Sequence, residues 1–148
     1  MPSRNRHWIV SGLRLESRDR ARAIGALAWL VAAEMAVRVL PFSTLTRWME
    51  RVPPSRSHAA SLTSSECGAA IRRAARIFPA GRCLARAVAA SCLLRRAGRI
   101  ATLNLGVGFD VERQFEAHAW LECDGVVVIG GDISDRYVSL GAAAEKDP

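Results

Sequence analysis

The hydrophobic rhythm of this chain changes once, between residues 98 and 102. Upstream, apolar residues return at helical spacing. In CLARAVAASCLLRRAG, residues 83–98, Leu84, Val88, Ser91, Cys92 and Leu94 or Arg95 follow the helical period. Downstream, IATLNLGVGF sets Leu103, Leu105 and Val107 against Thr102, Asn104 and Gly106. FEAHAWLEC sets Phe115, Ala117, Ala119 and Leu121 against Glu116, His118, Trp120 and Glu122. This is period two, the rhythm of strands whose two faces meet different surroundings. Asp124-Gly125, between FEAHAWLEC and VVVIGG, is a strong hairpin turn. Helices first and antiparallel strands afterwards predict an α+β domain.

Boundary residues divide the helical half. SRDRARAIGALAWLVAAEMAVRVL reads as a helix that Ser17 caps and Pro41 stops. STLTRWMERV reads as a second helix, capped by Ser43 or Thr44. PPSRSHAASLTSS is a Pro/Ser-rich loop. SECGAAIRRAARIF is a third helix, capped by Ser64 or Ser65, with Pro79 beyond its end. PAGR is a turn, and residues 83–98 make the fourth helix, with Gly98 at its C-terminal end. HWIVSGLRL near the start is a short strand or an ordered arm, and RYVSL a last short strand. At 148 residues the chain is expected to be one domain. Its helical N-terminal part covers residues 1–60, and its core covers residues 64–140.

Composition narrows the partners. Half of the residues are hydrophobic, which is a globular composition. The net charge is +7, and Lys146 is the only lysine, so arginine carries the charge. The arginines form no dense block and do not interleave with aromatics, so no nucleic-acid groove is expected. AIGALAWLVAAEMAVRVL, residues 23–40, is the most hydrophobic stretch, but Glu34 and Arg38 interrupt it. Its uncharged run falls short of the ~20 residues that span a bilayer. A buried helix is expected there, with no transmembrane segment. Cys67, Cys83, Cys92 and Cys123 include no CxxC pair and fit no zinc pattern. With no secretion signal, reduced thiols and a cytoplasmic location are expected. No glycine-rich phosphate loop is present, and neither a cofactor nor a metal is expected.

Cys83 is the candidate nucleophile. A thiol that opens a helix lies beside unpaired backbone N–H groups and the positive end of the helix dipole, and both favour the thiolate. The same N–H groups can hold an oxyanion on the carbonyl that the sulfur attacks. Cys92 lies mid-helix on an apolar side and reads as core. Cys67 lies near another helix start, and Cys123 borders the hairpin turn, where a structural role is expected. A thiolate needs a base, and the base an orienting group. His118 is the base candidate, since His7 and His58 fall in the arm and the loop. Asp132 is the orienting-acid candidate, with Asp135 and Asp124 behind it. A regular two-residue turn at Asp124-Gly125 pairs His118 with Gly131 and turns Asp132 to the opposite face. An irregularity, expected at Gly130-Gly131, restores Asp132 to the histidine's face.

The stretch RRAARIFPAGRCLARAVAASCLLRRAGRIATLNLGVGFDVERQFEAHAWLECDGVVVIGGD resembles the leader peptidases of lasso-peptide biosynthesis, members of the transglutaminase-like, papain-related cysteine superfamily. The resemblance covers roughly residues 70–140. It implies a transglutaminase-like core and a Cys-His-Asp triad, carried over to Cys83, His118 and Asp132. It implies a ribosomal precursor peptide as substrate, cut between leader and core. The form without a fused recognition domain implies a separate leader-recognition protein as partner, with an ATP-dependent macrolactam synthetase acting next. Trp120 can cover the triad, line the substrate groove or pack on the helices. Arg86, one turn into the helix of Cys83, can meet a carboxylate of the substrate or of the domain, or simply face solvent. Two alternatives stay open: a transglutaminase-like acyltransferase using the same triad, and a non-catalytic partner protein.

Overall fold

The computed structural model of the protein describes residues 17–55, 62–79, 82–109, 111–131 and 137–143. Four helices come first: α1 (Ser17–Val39), α2 (Phe42–Glu50), α3 (Ser64–Ile77) and α4 (Cys83–Arg96). Four strands follow: β1 (Thr102–Phe109), β2 (Phe115–Cys123), β3 (Val126–Ile129) and β4 (Tyr137–Ala143). They form one antiparallel sheet in the order β3-β2-β1-β4. The α+β architecture predicted from the change of period is the architecture found. The arm HWIVSGLRL and much of the 53–65 loop lie outside the described residues.

Helix α4 is the centre of the molecule. It packs against α1, α3 and β2. Ala85, Ala87, Val88, Ala89, Ala90, Cys92 and Leu94 are all buried. A helix apolar on nearly every side has to be enclosed, and its alanines let neighbours approach closely. It ends by the rule for a left-handed glycine. Gly98 has φ 73°, its N–H donates to Arg95 O, and the Arg99 N–H donates to Leu94 O at 2.9 Å. By contrast α1 buries one stripe, Ala26, Leu30, Ala33 and Glu34, while Ile24, Val31, Met35 and Val39 face outward. The buried helix expected over residues 23–40 is therefore buried on one side.

Two helix starts differ from expectation. Helix α2 begins at Phe42 with Pro41 as N-cap, and no side chain caps it. Proline's fixed φ, here −64°, suits the extended N-cap, and Pro41 O accepts the N–H of Leu45 at 3.0 Å. Helix α3 is capped by Thr63, one residue before the serines proposed for the role. Thr63 Oγ1 accepts the Glu66 N–H at 3.3 Å, and Glu66 Oε2 accepts the Thr63 N–H at 2.8 Å. This is a complete capping box.

The sheet divides its side chains by alternation. Leu103, Ala119, Leu121 and Cys123 belong to the buried face that packs on the helices. His118 and Trp120 alternate with them and point to the opposite face. The β2–β3 turn is the two-residue Asp124-Gly125 type, with φ 53° and 74°, and closes on Cys123↔Val126. The irregularity lies nearer the turn than the double glycine. Glu122 pairs with Val127 and Leu121 with Ile129, so Val128 is the extra residue.

Candidate active site

The start of α4 is open. Its N-cap, Arg82, is extended at φ −67° and ψ 160°, and no side chain caps the helix. The first helical bond runs from the Arg86 N–H to Arg82 O at 3.0 Å. The N–H groups of Cys83, Leu84 and Ala85 therefore have no partner within the helix. No acidic residue sits in the first turn. What holds the turn is distant in sequence. Glu34, from the middle of α1, accepts the Arg82 N–H on Oε2 at 3.2 Å. Its Oε1 accepts a hydrogen bond from Arg38 Nε at 2.9 Å and pairs with Arg38 Nη2, also at 2.9 Å. In the sequence Glu34 is only an interruption of an apolar helix; the structure shows that it is buried and therefore in need of donors.

The four thiols are all free, and they differ in surroundings. Cys67, Cys92 and Cys123 are buried, whereas Cys83 is partly exposed. Burial pushes the Cys92 thiol up to about 12. Burial, with the nearby Cys123 thiol adding to it, does the same to Cys67. Thiols that hold their protons so tightly are poor nucleophiles at neutral pH. Only Cys83 combines access with a helix start.

His118 is half-buried on β2, opposite Gly106 of β1. Its ring stacks on Tyr137 of β4, with centroids 5.0 Å apart and planes 23° apart. The two residues sit two strands apart, about 10 Å of sheet. They meet because β1 carries Gly106 and Gly108, opposite His118 and Tyr137 respectively, and puts no side chain between them. A Cβ at Gly106 would lie 2.8 Å from Trp120 Cζ3 and 3.1 Å from Tyr137 Cβ. The Tyr137 hydroxyl donates to Glu116 at 2.8 Å, which holds the ring. Tyr137 escaped sequence reasoning because its place depends on β4 pairing with β1. The two glycines in LNLGVGF were the available signal.

The ring's protonation is set by Gly130. Its carbonyl lies 3.1 Å from His118 Nε2. A carbonyl only accepts, so Nε2 carries the proton, and Nδ1 of the neutral ring is the basic nitrogen. Gly130 comes this close because it has no Cβ. One built there would lie 2.3 Å from Trp120 Cβ, and φ is 114°. Trp120 thus packs on Gly106 and Gly130 within the sheet's outer face, not on the helices, and its Nε1 donates to Glu122 at 2.9 Å.

Helix α4 packs on β2, the strand that carries His118. The chain reverses after Gly98, so β1 starts near the C-terminal end of α4. Gly106, paired with His118, lies four residues along β1 from Thr102. No hydrogen bond joins the Cys83 thiol to His118. Asp132 and Asp135 lie outside the described residues. Asp124 sits in the hairpin turn, paired with Arg99, whose guanidinium holds its carboxyl below the usual range. Arg86 is half-buried, and its Nε is buried without a hydrogen-bond partner. Among the described residues no group of His, Cys, Asp and Glu is placed to hold a metal ion, and no helix is long and apolar enough to cross a membrane.

An accessible cysteine at an open helix start can support thiol chemistry on a carbonyl, while His118 lies on the sheet face turned away from the helices, so the structure does not bring the two side chains together. A family model described as the transglutaminase-like superfamily matches residues 27–141, from within α1 into β4. The chain belongs to the transglutaminase-like superfamily, which includes cysteine proteases and acyltransferases. No curated protein and no solved structure gives a match.

Proposed function

We propose that this protein is a cysteine peptidase that removes the leader from a ribosomal precursor peptide during lasso-peptide maturation. The observation that carries the proposal is the open start of α4 with Cys83 as its first residue, in a superfamily that includes cysteine proteases. The leader-peptidase resemblance over roughly residues 70–140 supplies the substrate class. In this reading a separate leader-recognition protein presents the precursor, and an ATP-dependent macrolactam synthetase takes the freed core.

In this mechanism Cys83 Sγ attacks the carbonyl at the leader–core junction. Its proton passes to His118 Nδ1. The free N–H groups of Cys83, Leu84 and Ala85 hold the oxyanion. The C–N bond breaks as His118 returns the proton to the leaving amine, the new N-terminus of the core. Water, deprotonated by His118, then hydrolyses the thioester, giving the leader carboxylate and the thiol. The acid is assigned to Asp132. That choice rests on the leader-peptidase resemblance, since Asp132 lies outside the described residues. Arg86, one turn into α4, is assigned to a carboxylate of the substrate. Trp120, beside His118, is assigned to the edge of the substrate groove.

Mass spectrometry of a precursor peptide, incubated with this protein and its recognition partner, tests the reading. A leader–core cut by wild type, lost in Cys83→Ala and His118→Ala, supports it. An unchanged cut in Cys83→Ala overturns it. An added amine incorporated at the junction in place of water moves the assignment to an acyltransferase.

A further inference from the structure

Glu34 is a carboxylate 1 % exposed in the most hydrophobic helix of the protein. A buried charge persists only when donors surround it. Glu34 accepts one hydrogen bond from Arg38 Nε, on the same helix, whose Nη2 pairs with the same oxygen, and one from the backbone N–H of Arg82, 48 residues away. Arg82 is the N-cap of α4 and immediately precedes Cys83. In a capping box the glutamate inside the helix accepts the N-cap N–H, and the N-cap side chain takes a further N–H. Here the first bond is supplied from another helix, and the second is missing. The turn is therefore anchored while the N–H groups of Cys83, Leu84 and Ala85 stay open.

We propose that Glu34 is a positioning residue for Cys83: it fixes the N-cap of α4 from α1, so that the thiol stays in the field of the open helix start. The inference rests on Cys83 being the nucleophile. Arg38 neutralises the carboxylate and keeps its charge from opposing the thiolate. Two effects then act in opposite senses. Removing the negative charge alone favours the thiolate. Releasing the turn takes the thiol from the helix N–H groups and disfavours it.

The rate of alkylation of Cys83 by iodoacetamide, followed across pH by peptide mass spectrometry, separates the two without any substrate. Glu34→Gln removes the charge but keeps an oxygen for the Arg82 N–H, and its pH midpoint should lie at or below that of wild type. Glu34→Ala removes both, and its midpoint should rise by about one unit, about tenfold in rate at neutral pH. Arg82→Pro provides a second route that leaves the buried ion pair intact. The native φ of −67° suits proline, and only the donor and the side chain are lost. It should behave as Glu34→Ala, while Arg82→Ala, which keeps the N–H, should behave as wild type. A fall in midpoint for both Glu34 variants would mean that Glu34 acts through charge alone and would overturn the proposal. So would a wild-type midpoint in Arg82→Pro. A wild-type Cys83 that alkylates no faster than a free cysteine peptide would instead count against the nucleophile assignment itself.

Discussion

Helices α3 and α4 are equally long, 14 residues each, and lie against one another, yet they begin in opposite ways. The start of α3 is closed: Thr63 and Glu66 satisfy each other's backbone N–H groups, and Glu66 places a negative charge at the positive end of the helix. The start of α4 has neither a capping side chain nor an acid in its first turn, and a cysteine stands where the helix begins. Closing a helix start stabilises it by about 1 kcal/mol. Leaving one open forgoes that stability and keeps donors for something else. α3 is built for the fold, and α4 carries the chemistry we propose. Even its anchor respects the difference, since Glu34 takes the N-cap N–H and leaves the next three alone.

The largest effect expected from this contrast is on the thiol itself. Cys83→Ala should reduce precursor cleavage by at least about a thousandfold with the fold intact. Cys67→Ala, near the start of the closed helix, should leave the rate per folded molecule within a few fold. Equal losses in both would erase the distinction. Next comes converting the open start into a closed one. Arg82→Ser supplies a hydroxyl to accept an N–H of the first turn. It should raise stability by about 1 kcal/mol and the melting temperature by about 3 °C. The same change should slow cleavage by about tenfold or more, because a donor meant for the oxyanion is now occupied. A protein both more stable and fully active would show that the open start has no catalytic use.

How far the sequence spoke for itself follows from the range of each interaction. Strand β2 was readable to the residue, Phe115–Cys123, because its alternation is local and a turn motif ends it. The beginning of α4 at Cys83 was readable for the same reason. The cap of α3 was missed by one residue because Thr63, Ser64 and Ser65 can all cap. The deciding signal was Glu66, three residues after Thr63, and it too is local. What stayed hidden was long-range. Glu34 meets Arg82 across 48 residues, and Tyr137 reaches His118 only because β4 joins β1 across two glycines. The extra residue in β3 was foreseen in kind but misplaced by a few positions: of the two glycines that suggested it, Gly130 serves the approach of Trp120, and Gly131 takes a left-handed φ of 74°.

The contrast can also be drawn along α4 itself. Cys92 lies on the same helix as Cys83, but in the core, and burial raises its thiol from 9.0 to about 12. The folded state keeps this proton where the unfolded chain has lost it. The associated stability is thus fully present below about pH 9 and is lost as pH rises toward 12. Cys67 contributes in the same direction, with the same limits. Denaturant unfolding should show stability flat below about pH 9 and, between that and pH 12, falling toward a limiting slope of about 1.4 kcal/mol per pH unit for each of Cys92 and Cys67. Cys92→Ala should flatten that slope by the share of one thiol, whatever it costs in packing. An unchanged slope would mean that Cys92 is not the enclosed thiol described here.

The smallest effect belongs to the closed start. Glu66 is held below the ordinary carboxylate range, first by the Thr63 backbone N–H and then by its hydroxyl. A lowered folded value stabilises the protein above the carboxylate's ordinary titration and is lost as pH falls through that folded value. Thr63→Ala deletes the hydroxyl alone. It should cost about 1 kcal/mol at neutral pH and should weaken the dependence of stability on pH in the acid range. Glu66→Gln, which cannot ionise, should remove that dependence at this site. Neither change should alter the cleavage rate of folded protein, because among the described residues the hydrogen bonds of α3's cap go to Ser65, Arg22 and each other, not to the start of α4. A rate that fell with Thr63→Ala would couple the two starts through the α3–α4 packing, and the closed helix would then belong to the catalytic apparatus as well.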